Sequence, residues 1–99
     1  MPKRRTVSTQ LTETDWERIL SLEPTPQCNI PIHRIKLWAR HFQESGNKPI
    51  LGMNLCHSSG RIETANAILR KQGLPYRLRR ATSRKIWWER YYQFVIVEP

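Results

Sequence analysis

Apolar residues recur along this chain with two periods, helical up to Gln72 and strand-like after Pro75. Trp16, Ile19 and Leu20 share one face of a first helix, which starts at Thr12 or Thr14 and ends before Pro24 and Pro26. Thr14 and Glu17 have capping-box spacing, and Asp15 and Glu17 suit the positive end of the helix dipole. A connector over Glu23–Pro31 leads to a second helix running to Ser45, with Asn29 as its expected cap and Pro31 in its first turn. Ile35, Trp38, Ala39 and Phe42 form its packing stripe, and Gly46 stands where a C′ glycine belongs. The stretch Pro49–Leu55 is too short for periodicity to separate a short helix from a short buried strand. A helix beginning at Pro49 is the preferred reading.

A third long helix is predicted over Arg61–Gln72, with N-cap candidates in Ser58-Ser59-Gly60 and a stop at Gly73-Leu74-Pro75. Ile62, Ala65, Ile68 and Leu69 form its apolar side. Glu63, Thr64, Ala67, Arg70 and Lys71 lie opposite, with Asn66 on a flank. Tyr76–Arg80 then reads as a strand and Thr82–Lys85 as a charged turn. In the last strand Trp88, Tyr92, Phe94 and Ile96 are expected to face the core, and Trp87, Glu89, Tyr91, Gln93, Val95 and Val97 to face out. A rival reading makes Ser83–Tyr92 helical and leaves Gln93–Val97 as strand; aromatic and β-branched enrichment favours the hairpin. The expected fold is α+β: a three- or four-helix small domain with a C-terminal antiparallel β-hairpin over residues 9–99, preceded by a flexible basic arm, residues 1–8.

Charge changes this picture from a fold to a surface. The chain carries 17 Lys and Arg against 8 Asp and Glu, a net charge of +9. Residues 6–60 balance five basic against five acidic side chains, whereas residues 61–90 hold nine basic and two acidic. From Leu69 to Lys85 seven residues are basic and none is acidic. A neutral scaffold joined to a basic half points to a polyanionic partner. A mean hydropathy of −0.64 and the lack of a long apolar run argue against a membrane span. The basic N-terminus is followed by no apolar leader segment, and two cysteines are too few for a disulfide framework, so the expected compartment is the cytoplasm.

The order helix, short helix or strand, turn, helix and basic hairpin resembles the winged helix-turn-helix family of DNA-binding domains, over roughly Pro49–Val97. The likeness rests on Arg61–Gln72 running into Gly73-Leu74-Pro75-Tyr76-Arg77, and on a hairpin with Arg79, Arg80, Arg84 and Lys85 at its tip. It implies that Arg61–Gln72 enters a major groove and that the hairpin tip lies on the adjacent backbone or minor groove.

The residues support the same picture without the analogy. An α-helix fits the major groove, where Asn reads adenine and Arg reads guanine by paired hydrogen bonds. Asn66 and Arg70 are four apart and can share one side of the helix, with Lys71 beside them; Thr64 suits a thymine methyl or a phosphate. Arg77, Arg79, Arg80, Arg84 and Lys85 are candidates for backbone contact. Trp87 and Tyr91, on the outward side of the last strand, would stack on unpaired bases if exposed.

The expectation is a small non-enzymatic DNA-binding protein without a cofactor, of the size of a phage or mobile-element regulator. Duplex DNA comes first, RNA or a ribonucleoprotein role second, and an inhibitor module that covers a nucleic-acid enzyme third. A homodimer would raise affinity, its surface marked by Trp16 or Trp38 if either is exposed. Cys28, His33, His41, Cys56 and His57 show no CxxC or HxxxH pairing, so a zinc tetrad is not expected. Glu63, Glu89 and His57 are the best set for a metal-dependent nuclease, and a poor one.

Overall fold

A computed structural model describes residues 6–55, 59–81 and 89–98 of the chain. Strand β4 (Tyr91–Val97), rich in aromatic and β-branched residues, is the one on which the sheet is built. Strand β3 (Tyr76–Arg80) pairs antiparallel along one edge of it, from Tyr76↔Ile96 to Arg80↔Tyr92. Strands β1 (Thr6–Ser8) and β2 (Ile50–Leu51) pair antiparallel with opposite ends of its other edge. Four helices accompany this four-stranded sheet among the described residues: α1 (Glu13–Leu20), α2 (Asn29–Glu44), α3 (Gly52–Leu55) and α4 (Ser59–Lys71).

The expected α+β class with a C-terminal hairpin is what the chain adopts, and the order β2–α3–α4–β3–β4 is compatible with a small winged-helix-like domain. No helix among the described residues is long and apolar enough to cross a membrane.

Several local boundaries differ from the sequence reading, each for a physical reason. The capping box of α1 is Thr12 with Asp15, not Thr14 with Glu17: Asp15 N–H donates to Thr12 Oγ1 (3.3 Å) and Thr12 N–H donates to Asp15 Oδ2 (2.8 Å). Both pairs have the required spacing; the earlier start leaves Trp16 and Ile19 facing the core. Cys28, not Asn29, precedes α2 and makes no side-chain cap. Pro31 falls in the first turn, where its missing N–H has no helical partner to lose.

Pro49–Leu55 is neither all helix nor all strand. Ile50 and Leu51 pair with Tyr92 and Tyr91, and one helical turn follows at once. The arm boundary moves as well, since Thr6–Ser8 is paired sheet rather than free chain. Because β4 begins at Tyr91, the rival helix reading fails at its C-terminal end; residues 82–88 lie outside the described residues.

Helices α2 and α4 end by the same device. Gly46 (φ 72°) N–H donates to Gln43 O and Asn47 N–H to Phe42 O. Likewise, Gly73 (φ 74°) N–H donates to Arg70 O and Leu74 N–H to Leu69 O. This paired closure satisfies the last carbonyls and favours glycine at the left-handed position.

The core lies between the helices and the even face of β4. Phe94 packs edge-on against Trp16 (5.6 Å between centroids) and Phe42 (5.3 Å), beside buried Ile19, Ile35, Leu69, Tyr76 and Leu78. Trp16 and Trp38 are both buried, so neither marks a dimer surface. Val95 and Val97, expected to face out, are buried too. Arg77, paired with Val95 across the strands, is buried with them, so both faces of this end of the sheet are shielded from water.

Candidate nucleic-acid interface

Helix α4 has the two faces its spacing predicts. Ile62, Ala65, Ile68 and Leu69 are buried, while Glu63, Thr64, Ala67, Arg70 and Lys71 are exposed. The outer face is low at its centre, since Ala67 and Thr64 are short, and basic at its C-terminal end. Thr64 Oγ1 donates to Gly60 O (2.9 Å), which holds the hydroxyl against its own helix. Among the described residues no acid pairs with Arg70 or Lys71.

Asn66 does not belong to that face. Its Nδ2 donates to Leu78 O (2.9 Å), and Leu78 N–H donates to its Oδ1 (2.7 Å). The amide therefore stands in for a neighbouring strand on the edge of β3. Reading a base would require breaking both bonds, so Asn66 is withdrawn from the base-reading set.

Asn47, which the sequence did not single out, does the same on the far side of the sheet. It sits between β1 and β2, where β4 has no strand neighbour. Its Nδ2 donates to Phe94 O (2.8 Å) and Thr9 O (2.7 Å), and Phe94 N–H donates to its Oδ1 (3.2 Å). Leu78 and Phe94 are register partners. With both peptide groups pointing away from each other, they form a non-hydrogen-bonded pair whose outward bonds are closed by one asparagine on each side.

Arg77 is likewise removed from the surface. It is 7% exposed, and its Nη1 donates to Leu74 O (2.7 Å) and Tyr76 O (2.6 Å), bracing the turn after α4. Strand alternation turns Arg77 and Arg79 to the face opposite the helices. Arg79 is half-buried and its Nη1 reaches Thr6 Oγ1 across β4 (3.4 Å), while Arg80 is exposed at the end of β3. Arg84, Lys85 and Trp87 lie outside the described residues, as do Cys56 and His57. Tyr91, the other stacking candidate, is 38% exposed.

Among the described residues, the candidate cations Arg70, Lys71, Arg79 and Arg80 form two groups. After the tight turn at Gly73, β3 runs back along α4, as the Asn66–Leu78 bonds require. Arg70 and Lys71 therefore lie at the turn end of this unit, and Arg79 and Arg80 at the hairpin end beside the first half of α4. The rise of a helix and a strand puts these groups roughly 12 Å apart along the unit.

A second polar cluster, also unforeseen, ties α1 to β3. Tyr76 Oη donates to Asp15 Oδ1 (2.5 Å), and Arg18 Nη1 donates to Tyr76 Oη (3.2 Å), with the guanidinium 5.4 Å from the ring centroid. Burial, then the Asp15 carboxylate, pushes the Tyr76 hydroxyl from 10.0 up to about 12. Burial alone would raise the Asp15 carboxyl; the hydrogen bonds from Tyr76 and Thr12 and the charge of Arg18 bring it below its usual value.

No group of three or more His, Cys, Asp or Glu side chains gathers as a metal site would require among the described residues. A hollow of about 300 Å³ between Thr9–Leu11, Glu13, Trp16 and the end of α2 is lined by one carboxylate, Glu13, among the described residues. No family model, curated protein or solved structure matches the chain.

Proposed function

We propose that this protein binds duplex DNA, with the exposed face of α4 toward the major groove and the hairpin arginines toward the backbone. One observation carries the reading: α4 presents a face of short and basic side chains with Glu63 as its one acid, no acid among the described residues pairs with Arg70 or Lys71, and this face lies directly beside the strand that ends in Arg79 and Arg80. A helix with a low centre lets its backbone approach base edges, and cations on either side suit the phosphates that border a groove about 12 Å wide. The proposed contact set is Thr64, Arg70, Lys71, Arg79 and Arg80, with Arg84, Lys85 and Trp87 retained from the sequence. Asn66 and Arg77 are excluded by their internal bonds.

The test is competition of labelled duplex DNA against single-stranded DNA and structured RNA, repeated across salt concentrations. Duplex preference is expected, with log K falling against log salt at a slope near −4 to −5 for about five phosphate contacts. Preference for single strands or RNA would instead favour the alternative suggested by Tyr91, stacking on unpaired bases. A third reading, a protein partner, draws on Ile30 (67% exposed) and Leu37 (55%), seven residues apart on the outer side of α2. It predicts a stable protein complex and no nucleic-acid affinity at physiological salt.

A further inference from the structure

With Asn66 committed to Leu78, α4 has Glu63, Thr64, Ala67 and Arg70 left to meet a base edge. Glu63 is the odd member. It is an exposed acid in the basic half of the chain, and the residues three and four away on either side (Ser59, Gly60, Asn66 and Ala67) include no cation. Among the described residues no ion pair or hydrogen bond engages its carboxylate. Helix-face ion pairing, the usual role of such a residue, is therefore absent here. A carboxylate turned toward a polyanion lowers affinity unless the ligand supplies a donor.

The major groove supplies two kinds. Adenine shows its N6 amine beside the N7 acceptor, which repels a carboxylate. Cytosine shows its N4 amine with no acceptor next to it on the same base. Building on the duplex-DNA reading above, we infer that Glu63 is the base-selecting residue of this interface and accepts a hydrogen bond from a cytosine N4 amine. Affinity is traded for selectivity, and the short neighbours Thr64 and Ala67 allow the close approach this contact needs.

The experiment is selection from a pool of randomised duplexes with the unaltered protein, Glu63→Gln and Glu63→Ala, each first shown to unfold at the same denaturant midpoint. The unaltered protein should enrich cytosine at one position, by about tenfold over other bases. Glu63→Gln should move that preference to adenine, whose donor and acceptor match an amide. Glu63→Ala should erase it and bind duplexes that lack this cytosine more tightly, since only there does the carboxylate meet no donor. If both variants bind more tightly and keep the same ranking of bases, the carboxylate is not read and the inference falls while DNA binding stands. If the unaltered protein shows no affinity for duplex DNA even at low salt, both fall together.

Discussion

The seam around Leu78 and Phe94 and the outer face of α4 share one helix and contain similar polar residues, yet use them in opposite ways. In the seam, Asn66 and Asn47 spend their amides on backbone groups that no strand reaches. On the outer face, Arg70, Lys71 and Glu63 spend nothing on the protein among the described residues. The lesson concerns which groups are available to a ligand. A buried peptide group without a partner is costly, so side chains near one are recruited to it first. What remains unpaired in water loses little and can be offered to a partner. Sequence position does not separate the two classes: Asn66 and Arg70 are one helical turn apart.

This contrast can be broken by substitution, and the largest effect belongs to the seam. Asn47→Ala removes three hydrogen bonds and leaves the Phe94 peptide unsatisfied at a site only 7% exposed. It also places alanine at φ 61°. A loss of about 3–5 kcal/mol is expected in denaturant unfolding. A loss below about 1 kcal/mol would mean that water replaces the amide.

Next comes the Asp15–Tyr76–Arg18 cluster, read through pH. Burial and Asp15 raise the Tyr76 hydroxyl to about 12, so the folded protein keeps a proton that the unfolded chain releases near 10.0. The associated stability is complete below pH 10 and is lost as pH rises toward 12, by about 2–3 kcal/mol. Tyr76→Phe should flatten that alkaline decline relative to the parent. For Asp15, burial opposes ionisation but its hydrogen bonds and Arg18 prevail, so its contribution is present above pH 3.8 and lost as pH falls through the lower folded value. Urea midpoints measured across pH for both proteins would show whether the cluster behaves this way.

Asn66→Ala sharpens the comparison directly. It should destabilise by about 1–3 kcal/mol, since Leu78 loses both partners, while the base preference of the folded fraction stays the same. An altered preference at unchanged stability would return Asn66 to the interface.

The smallest stability change is expected on the outer face. Arg70→Ala with Lys71→Ala should leave unfolding within about 0.5 kcal/mol of the parent, because both side chains are exposed and neither has an ion-pair partner among the described residues. The same change should flatten the salt slope of duplex binding by about 2. A stability loss with an unchanged slope would invert the contrast between the two regions.

Elements whose evidence is local were legible before the fold. The spacing of Ile35, Trp38, Ala39 and Phe42 located α2, and that of Ile62, Ala65, Ile68 and Leu69 located α4 with its exposed side. Gly73-Leu74-Pro75 marked the stop, and the change of period marked the hairpin. Of the site, the exposure of Thr64, Arg70, Lys71 and Arg80 followed from the same periods. The helix-face charge pattern and the basic strand therefore needed no long-range information.

The features that escaped depend on residues far away in the chain. Ile50 and Leu51 are a strand only because Tyr91 and Tyr92 pair with them, and Asn47 matters only because two short strands leave Phe94 bare between them. The fates of Asn66 and Arg77 were decided the same way, by carbonyls and amides that a linear reading cannot bring beside them. Periodicity records which side of an element meets water. Hydrogen-bond satisfaction is settled only once distant peptide groups arrive, and here it divides the polar residues holding the sheet together from those left facing outward.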